Sequence, residues 1–587
     1  MEILNALEHH QAGRLAEAVQ IYQQILQADP DNADALHLMG NVAGQLDDLD
    51  FSISLIARAS ALSPRNTTYL ISLGLAYRTK KLFDPAMACY SRILEIDPNT
   101  ASAHFGMGDT LRKLGEFKDA AAAFREAIRI MPDYAIAHLN LGDLLMDSDL
   151  VDEAARHYEN AISAEPGMAQ AYFNLGVARN RQDDLPSACA CFEQAAAYRR
   201  DDPAALYNLG LVNSRLARLD EAERCYRQVL DLDPGYIDAH INLSAILLED
   251  GRTIEAKKHI DFAYSRKNLF EKYSAGASKT VLILFDAGKG NLNLTYLFSE
   301  KTNNIIDWMI EYAPDDQADR LPDYDLVFNA MGDPDLTGDI AGPVGRFLEV
   351  CTKTLLNHPA KVAHTARDKL PALLEGIDGL LVPAVRRFAD STGWDETVAD
   401  QLPLLMRPVH TQGGIGLVLA ATATELAQCR ALQSGPVYVS RFVDYRSADS
   451  WFRKYRIIFI DRKPYPYHLA ISQNWMVHYQ TAEMETCPWK LEEEKKFLQY
   501  PEAVLGVAGM QAIQAIGARM DLDYAGIDFS IMPDGRILVF EANPTMLAHP
   551  ENSLGVLEHK NVYVRRIFDA FEDLLKRSMA VPTAALR

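Results

Sequence analysis

A 34-residue period runs through residues 1–270 and constrains the fold more than any other feature of the sequence. One position of the period holds a small residue: Gly40, Gly74, Gly108, Gly142, Gly176, Gly210 and Ser244. A second holds proline, with Arg200 as the exception: Pro30, Pro64, Pro98, Pro132, Pro166 and Pro234. A third holds alanine or serine: Ala18, Ser52, Ala86, Ala120, Ala154, Ala188 and Ala222. Small residues let helices approach closely and proline ends a helix, so the pattern predicts stacked helix pairs.

This period and its residues resemble the tetratricopeptide repeat, in which each unit is two antiparallel helices. A large residue follows each alanine or serine by four positions, where it fills the space between helices: Tyr22, Ile56, Tyr90, Phe124, Tyr158, Phe192 and Tyr226. The resemblance implies about eight units in residues 1–270, with atypical first and last units. It also implies an all-α superhelix with a concave groove.

An asparagine precedes the small residue by two positions in four consecutive units: Asn140, Asn174, Asn208 and Asn242. Asparagine is a poor helix former, but its amide offers the donor and the acceptor that a peptide backbone needs. We therefore predict a ladder that binds a peptide or protein substrate in the groove. A structural role within the repeat is the alternative. Earlier units carry Leu38, Ser72 and Gly106 at this position.

The bulk composition limits the partners of the chain. Its 587 residues are 48% hydrophobic and carry a formal net charge of −22. Nucleic acids and anionic membranes are bound through basic surfaces, so this charge argues against both. The seven cysteines lack metal-ligand spacing, and the first residues lack the basic start and apolar run of a signal peptide. We therefore expect a cytoplasmic protein without a membrane span.

An apolar hairpin in residues 523–546 carries polar residues on one face. With Asp534-Gly535 as a two-residue turn, Asp528 lies opposite Glu541, and Asn543 shares their face. The core face would then hold Ile527, Phe529, Ile531, Leu538 and Phe540. Two facing carboxylates repel each other, and with an amide oxygen they form a site that suits Mg²⁺ with phosphate. A solvated polar face is the alternative, and a three-residue loop would shift the pairing by one.

The residues ahead of this hairpin indicate an α/β layer. A polar linker at 271–280 precedes two patterns of buried strands, 280–288 and 323–333, with helical patterns at about 303–312 and 341–356. The second strand pattern ends in "DPD", which includes Asp333 and Asp335. Ligands bind at such strand ends in α/β sheets, although a turn explains these aspartates equally well.

Two further segments suggest phosphate binding. One is a Gly-rich loop between strands, whose backbone amides can fold over phosphates: Gly413, Gly414 and Gly416. The other is a basic cluster before an apolar strand: Arg453, Lys454 and Arg456. A simple Gly-rich hairpin and a solvated basic edge are the alternatives.

The order of these pieces resembles the ATP-grasp ligases. It runs from the α/β layer through "RDK", "MRP…GGIG", "VSRFV" and "RKYR" to "GIDF" and "EANP". The resemblance covers about residues 279–577. It implies an α/β pre-domain at 279–362, an ATP-grasp subdomain with a Gly-rich lid at 363–438, and an α+β C-terminal subdomain with the metal site at 439–577.

The resemblance also implies roles for single residues. Lys369 and Arg407 would lie near the phosphates of ATP, under a lid formed by Gly413, Gly414 and Gly416. A hinge strand would contact adenine through its backbone and ribose through its last residue: Val439, Ser440, Arg441, Phe442, Val443 and Asp444. Arg456 would hold the γ-phosphate and act with Arg407 in catalysis. Two Mg²⁺ ions would be held by Asp528, Glu541 and Asn543.

Three departures from the family pattern bear on function. Arg407 stands where lysine is usual and binds phosphate with different geometry. Gly526 stands where D-alanine ligases have arginine, which favours the glutathione-synthetase and glutamate-ligase branch. The hinge carries Ser440 and Arg441 in place of the usual acidic residue.

The resemblance implies an ATP-dependent ligase that joins a carboxylate to an amine through an acyl phosphate. The repeat would bind the peptide or protein substrate. His468, Asn474, Trp475 and His478 are weaker candidates for the substrate side, because alternating residues of a strand can simply face a core. The alternatives are a small-molecule ligase whose repeat only recruits partners, an adaptor with an inactive nucleotide-binding half, and a phosphotransferase.

Overall fold

A computed structural model describes residues 2–274, 276–288, 291–294, 296–298, 302–334, 341–390, 400–409, 411, 414–432 and 435–580. The chain forms two compact units, Met1–His259 and Ile260–Arg587. The first is an all-α repeat and the second is mixed α/β. The division between them falls ahead of the predicted boundary at residue 270.

Sixteen helices in residues 2–264 form eight consecutive pairs, in agreement with the expected number of units. They are α1 Glu2–Gln11, α2 Leu15–Ala28, α3 Ala33–Gln45, α4 Leu49–Leu62, α5 Thr67–Thr79, α6 Phe83–Ile96, α7 Ala101–Leu114, α8 Phe117–Ile130, α9 Ala135–Asp147, α10 Val151–Ala164, α11 Ala169–Arg181, α12 Leu185–Tyr198, α13 Pro203–Arg215, α14 Leu219–Leu232, α15 Ile237–Glu249 and α16 Thr253–Tyr264. Short turns join the helices, so each buries its apolar face against its neighbours.

The periodic glycines lie where two helices touch. A Cβ atom on Gly142 of α9 would lie 2.5 Å from Cε1 of Tyr158 on α10. The same contact recurs between Gly176 and Phe192. The aromatic ring occupies the space that a side chain at the glycine would need, which explains why the two positions repeat together.

Two histidine pairs join the helices of their units, and the sequence analysis did not identify them. In the first pair, His138 Nδ1 lies 2.9 Å from His157 Nδ1, and His138 Nε2 lies 3.0 Å from the carbonyl oxygen of Pro132. Because a carbonyl only accepts, His138 donates through Nε2 and accepts from His157 through Nδ1. His240 and His259 repeat this geometry at 2.7 Å.

A five-stranded sheet begins the second unit. Its strands are β1 Leu269–Lys272, β2 Thr280–Phe285, β3 Asn304–Met309, β4 Leu326–Asn329 and β5 Leu355–Leu356, in the order β1-β3-β2-β4-β5. All neighbours are parallel except β1, which runs antiparallel to β3. Helix Ala341–Val350 packs with this layer.

Two expectations for this layer are wrong. The segment at 303–312 is strand β3 followed by a short 3₁₀ helix, not a helix throughout, because it pairs with β2. The segment at 271–280 is not entirely a linker, since Glu271 and Lys272 belong to the edge strand β1. Short apolar runs such as "NIIDWM" do not distinguish helix from strand by periodicity alone.

Two further sheets follow. The first has the order β7-β10-β8-β9: β7 Val385–Phe388, β8 Leu404–Pro408, β9 Val418–Ala420 and β10 Val437–Arg441. The second has the order β12-β11-β13-β14-β6: β6 Leu380–Leu381, β11 Phe452–Ile460, β12 Lys463–Ser472, β13 Tyr524–Ile531 and β14 Ile537–Asn543. In both sheets, neighbouring strands are antiparallel except for β14 and β6. Other helices of this region are Pro359–Val362, Leu370–Leu373, Ala423–Leu432, Pro488–Gln499, Pro501–Met520 and Asn561–Ala580.

The sheets do not follow the predicted subdomain boundary between residues 438 and 439. Strand β10 crosses it and pairs with β7 and β8. Strand β6 lies before it, yet pairs in parallel with β14 of the last sheet. The other predicted boundaries stay predictions.

We expect Gly142→Ala to lower the free energy of unfolding by about 1–2 kcal/mol, because the new methyl group overlaps the ring of Tyr158 and this overpacking outweighs the gain in helix propensity. Thermal and urea unfolding of the full chain measure it. Gly167→Ala is the matched control, since no heavy atom lies within 4 Å of a Cβ there. Equal stability of both variants would contradict the packing argument.

Burial and the neighbouring His138 lower the pKa of His157 to about 4. The unfolded chain therefore takes up this proton near pH 6.5 while the folded chain resists it, so stability is present above pH 6.5 and is lost as the pH falls toward 4. Thermal unfolding of the full chain between pH 7 and pH 4.5 tests this. His157→Gln keeps a donor without titrating and should reduce the loss; an unchanged pH dependence would contradict the assignment.

Candidate functional site

The hairpin β13–β14 places two carboxylates opposite each other. Asp528 pairs with Glu541, and Gly526 pairs with Asn543. The turn differs from the expected one, because Met532 N donates to Arg536 O at 2.8 Å and closes a three-residue loop. Such a loop shifts the pairing by one residue, and a β-bulge between the loop and the carboxylates shifts it back.

The bulge also corrects the expected core face. Val539, not Phe540, pairs with Phe529, because Phe540 is the extra residue of the bulge. Leu538 pairs with Ser530 and so lies on the face of the carboxylates. The prediction that Leu538 shares the face of Phe529 is therefore wrong, whereas Phe540 packs against the core cluster that contains Phe529.

A row of polar residues crosses four strands at this level. Arg456 on β11 pairs with His468 on β12 and with Asp528 on β13. Asp528 pairs in turn with Glu541 on β14. Directly paired residues share one face of a sheet, so the four side chains form a row in the order histidine, arginine, aspartate, glutamate.

Two basic side chains hold Asp528, whose side chain is only 4% exposed. Arg456 donates from Nε to Oδ1 at 2.6 Å and from Nη2 to Oδ2 at 2.9 Å. Lys454 Nζ lies 3.2 Å from Oδ2. The arginine fork matches both carboxylate oxygens, which is the strongest geometry for such a pair.

Two arginines hold Glu541 through the same oxygen. Arg367 Nη2 donates to Oε2 at 2.8 Å, and Arg407 Nη1 lies 3.5 Å from it. Arg407 also donates from Nη2 to the carbonyl oxygen of Thr411 at 2.7 Å. Four positive groups therefore surround two carboxylates, an excess of two positive charges.

Burial alone would raise the pKa of both carboxyl groups. The positive charges of Arg456 and Lys454 outweigh burial at Asp528 and hold its pKa well below the usual range. At Glu541 the charge of Arg367, aided by Arg407, lowers the pKa despite burial and the neighbouring Asp528. Burial and the charge of Lys454 lower the pKa of His478, which also lines this region, so near neutral pH it adds no positive charge.

A cavity of about 370 Å³ opens onto these groups. Its charged end holds the two carboxylates with Arg367, Arg407, Lys454 and Arg456. Its other walls are largely apolar: Val382, Val385, Leu405, Leu417, Tyr438, Phe442, Val443, Trp475 and Leu538. This volume lies in the range of small-molecule sites.

Among the described residues, strand β10 has sheet partners on both sides as far as Ser440, and beside the cavity Arg441 has a partner on one side alone. The pairing of β10 with β7 ends at Ser440, whereas its pairing with β8 continues to Arg441. Both residues line the cavity, and so do Phe442 and Val443. A backbone edge next to apolar walls can hydrogen-bond the rim of a flat heterocycle.

Many of the predicted site residues line this cavity: Arg407, Gly414, Ser440, Arg441, Phe442, Val443, Arg456, Trp475, His478, Asp528, Glu541 and Asn543. Gly413 and Asp335 lie outside the described residues. Six others are not among the lining residues: Lys369, Gly416, Val439, Asp444, His468 and Asn474.

These six residues have structural contacts that account for their positions. Lys369 donates to the carbonyl oxygen of Ala363, and Asp444 pairs with Arg446. Val439 is buried in the sheet core. His468 is 6% exposed and stacks on Tyr479, Asn474 accepts from the backbone of Met476, and Gly416 lies against Pro408. Their predicted binding roles stay predictions.

The sequence analysis missed Arg367 and named Lys454 only as one member of a basic cluster. Arg367 stands in the same "RDK" motif as Lys369, and the motif alone does not say which basic residue faces the cavity. Lys454 lies two residues before Arg456 on one strand, so the two share a face. That period-two spacing was the signal that could have found it.

The two carboxylates suit a hard divalent cation. Because the surrounding side chains carry an excess of positive charge, such a cation would bind together with an anion. Asp528, Glu541 and Asn543 share one face, but Asn543 Oδ1 already accepts from both Thr545 N and Thr545 Oγ1 at 2.6 Å. Among the described residues, no group of three or more His, Cys, Asp or Glu side chains forms a metal site. The two carboxylates therefore fit Mg²⁺ only with further oxygens from a ligand.

The four repeat asparagines are half-buried, and their amide groups already donate within the repeat. Asn140 and Asn208 donate to the carbonyl oxygens of Ile136 and Ala204, four residues earlier on their own helices. Asn174 and Asn242 instead donate to residues of the preceding unit, Asp143 and Tyr207. These contacts fit the structural alternative, and the peptide ladder stays a prediction.

Comparison with known families identifies the repeat. Models of the tetratricopeptide repeat match residues 67–100, 108–149, 139–190 and 167–235. The helical repeat within residues 67–235 therefore consists of tetratricopeptide repeats, which is consistent with binding of a protein or peptide. No curated protein sequence matches the chain significantly.

Solved structures with similarity to the chain include MamA, pilF and YrrB. MamA is 27% identical over 27% of this chain and 94% of its own, with a TM-score of 0.27. Pseudomonas aeruginosa pilF is 19% identical over 35% and 94%, with a TM-score of 0.32. YrrB, described as a TPR protein with an unusual peptide-binding site, is 19% identical over 32% and 95%, with a TM-score of 0.26.

Within the described part of the chain, no helix combines the length and the apolar character that a membrane span requires.

We expect Arg456→Leu to lower the free energy of unfolding by about 3 kcal/mol, because it leaves Asp528 buried with Lys454 alone. Urea unfolding followed by tryptophan fluorescence measures this. Arg446→Leu removes an arginine from an exposed pair with Asp444 and should leave the transition unchanged. If both variants lowered the free energy of unfolding equally, the buried pair would stabilise the protein no more than a surface contact does.

Proposed function

We propose that residues 279–577 form an ATP-dependent carboxylate–amine ligase of the ATP-grasp type and that the tetratricopeptide repeat binds its peptide or protein substrate. The observation that carries this proposal is the cavity in which four basic groups surround two carboxylates. Such an excess of positive charge in a partly apolar site is best satisfied by a polyphosphate attached to an apolar group.

The two ends of the cavity match the two ends of a nucleotide. Backbone groups near Arg441 and Val443, beside apolar walls, fit a purine base. Arg407, Lys454 and Arg456 fit the phosphates. Each part of ATP then meets groups of complementary chemistry.

Asp528 and Glu541 would hold Mg²⁺ ions together with phosphate oxygens, with Asn543 beside them. The ions would neutralise phosphate charge and orient the terminal phosphate. The residues of the chain would bind and align ATP, neutralise the charge that develops on the transferred phosphoryl group, and exclude water behind the apolar walls.

The proposed reaction has two steps. A carboxylate oxygen attacks the γ-phosphorus of ATP, and ADP leaves with the electrons of the broken P–O bond. An amine then attacks the acyl carbon, phosphate leaves, and the amine gives up a proton as the amide forms. Both steps depend on positioning and charge neutralisation, so neither needs a nucleophilic side chain.

The repeat would raise the effective concentration of its bound substrate at the ligase, since both lie on one chain. The confirmed tetratricopeptide repeats support a peptide or protein as that substrate. The peptide would supply either the carboxylate or the amine.

An adaptor with an inactive nucleotide-binding half is the second candidate. One observation favours it: both carboxylates are engaged by basic side chains, and the oxygen of Asn543 accepts two hydrogen bonds. An adaptor would bind peptide or protein without turning over ATP.

Calorimetry with MgATP and an assay of ADP release with a library of candidate peptides test the proposal. We expect micromolar to millimolar MgATP binding, peptide-dependent ADP release, and loss of at least about 100-fold in rate with Glu541→Ala. Asp534→Ala, which removes an exposed carboxylate from the same hairpin, is the matched control and should keep activity.

Three other outcomes are informative. MgATP binding without turnover for any peptide would favour the adaptor. A stable phosphorylated product without amide formation would favour a phosphotransferase. No MgATP binding by the folded protein would refute the nucleotide site itself.

A further inference from the structure

We infer that Arg367 is a positioning residue that exchanges partners when nucleotide binds: it holds Glu541 before binding and moves to an anionic group of the ligand when the metal takes Glu541. The inference rests on the proposed nucleotide site. It adds that the metal and the polyphosphate bind as a coupled pair, with Arg367 as the link.

Arg367 and a metal ion would compete for one oxygen of Glu541. Arg367 Nη2 donates to Glu541 Oε2 at 2.8 Å, and the two side chains are 16% and 24% exposed. A cation and a guanidinium cannot both bind this oxygen closely without strong repulsion. Metal binding at Glu541 therefore requires Arg367 to find another negative partner.

The arginines of this site differ in how closely they contact Glu541. Arg407 is tied to the carbonyl oxygen of Thr411 at 2.7 Å and reaches Glu541 only at 3.5 Å. Arg456 forms a two-point contact with the buried Asp528. Arg367 makes the closer contact with Glu541, so it has more to lose than Arg407 when a metal arrives.

Arg367 already faces the space that a ligand would occupy. It lines the main cavity and also borders a second cavity of about 10 Å³, together with Gly332, Asp333, Thr365 and Asn543. The second cavity holds at most about one water molecule. The guanidinium would therefore turn from Glu541 into the main cavity, where the ligand would lie.

The charges of the site indicate how metal binding and polyphosphate binding affect each other. Without a polyphosphate, a divalent metal enters a site that already holds an excess of positive charge, so it binds weakly. With the polyphosphate present, the basic groups gain new partners and the carboxylates become available. Removing the charge of Arg367 should therefore strengthen metal binding alone and weaken binding of metal-free nucleotide.

The experiment measures the two ligands separately on the full chain. Mn²⁺ binding without nucleotide is followed by the electron paramagnetic resonance signal of free Mn²⁺. Binding of a non-hydrolysable ATP analogue is measured by calorimetry in EDTA. For Arg367→Gln we expect Mn²⁺ affinity to rise about tenfold and metal-free analogue affinity to fall about tenfold, the equivalent of one charge-assisted contact.

Two further variants keep the result interpretable. Arg367→Lys retains the charge without the planar fork, so the affinities for Mn²⁺ and for the metal-free analogue should both stay within about threefold of wild type. The same two affinities can be measured on this variant if the glutamine variant does not fold. Arg536→Gln removes an arginine from an exposed pair with Asp534 and should change neither affinity.

The opposite directions of the two changes exclude a merely structural role, because a damaged fold would weaken both ligands. Mn²⁺ affinity that is unchanged or lower in Arg367→Gln would overturn the inference. If wild type binds the analogue with Mg²⁺ in that case, the proposed nucleotide site still stands. If wild type binds it under no condition, the nucleotide site and this inference both fall.

Discussion

The C-terminal unit depends on the contact between two facing carboxylates and the basic side chains around them. Asp528 and Glu541 sit opposite each other on neighbouring strands, a pairing that repels unless positive charge lies close by. Arg456 and Lys454 compensate the first, and Arg367 and Arg407 compensate the second. The four basic groups carry two more charges than the two carboxylates. One set of residues therefore serves two purposes, since it makes the sheet stable and gives the cavity its preference for anions.

The carboxylate pair could be predicted from the sequence, although the turn behind it could not. A two-residue turn with regular strands and a three-residue turn with a bulge give the same pairing at Asp528 and Glu541. Alternation of residues along a strand does not reveal an inserted residue, so the assignment of Leu538 to the face of Phe529 was wrong. Arg367 escaped prediction because its contact with Glu541 joins residues 174 positions apart, and no local pattern records such a distance.

The repeat was more predictable because each unit imposes the same local packing on its neighbours. The ring of Tyr158 needs the space left by Gly142, and the same contact recurs between Gly176 and Phe192 and between Gly210 and Tyr226. Polar contacts do not follow the period in this way. The asparagines share a repeat position, yet Asn140 bonds its own helix while Asn174 bonds the preceding unit. A histidine pair forms only where both helices of a unit carry histidine, which is the case in two units that lie three periods apart.

The bulge at Phe540 separates the turn end of the hairpin from the end that carries the carboxylates. On the turn side the strands follow one alignment, and on the carboxylate side they follow another. The extra residue in the turn and the extra residue in the strand therefore compensate each other. Either one without the other would slide Glu541 past Asp528 by one position and place the two carboxylates on opposite faces of the sheet.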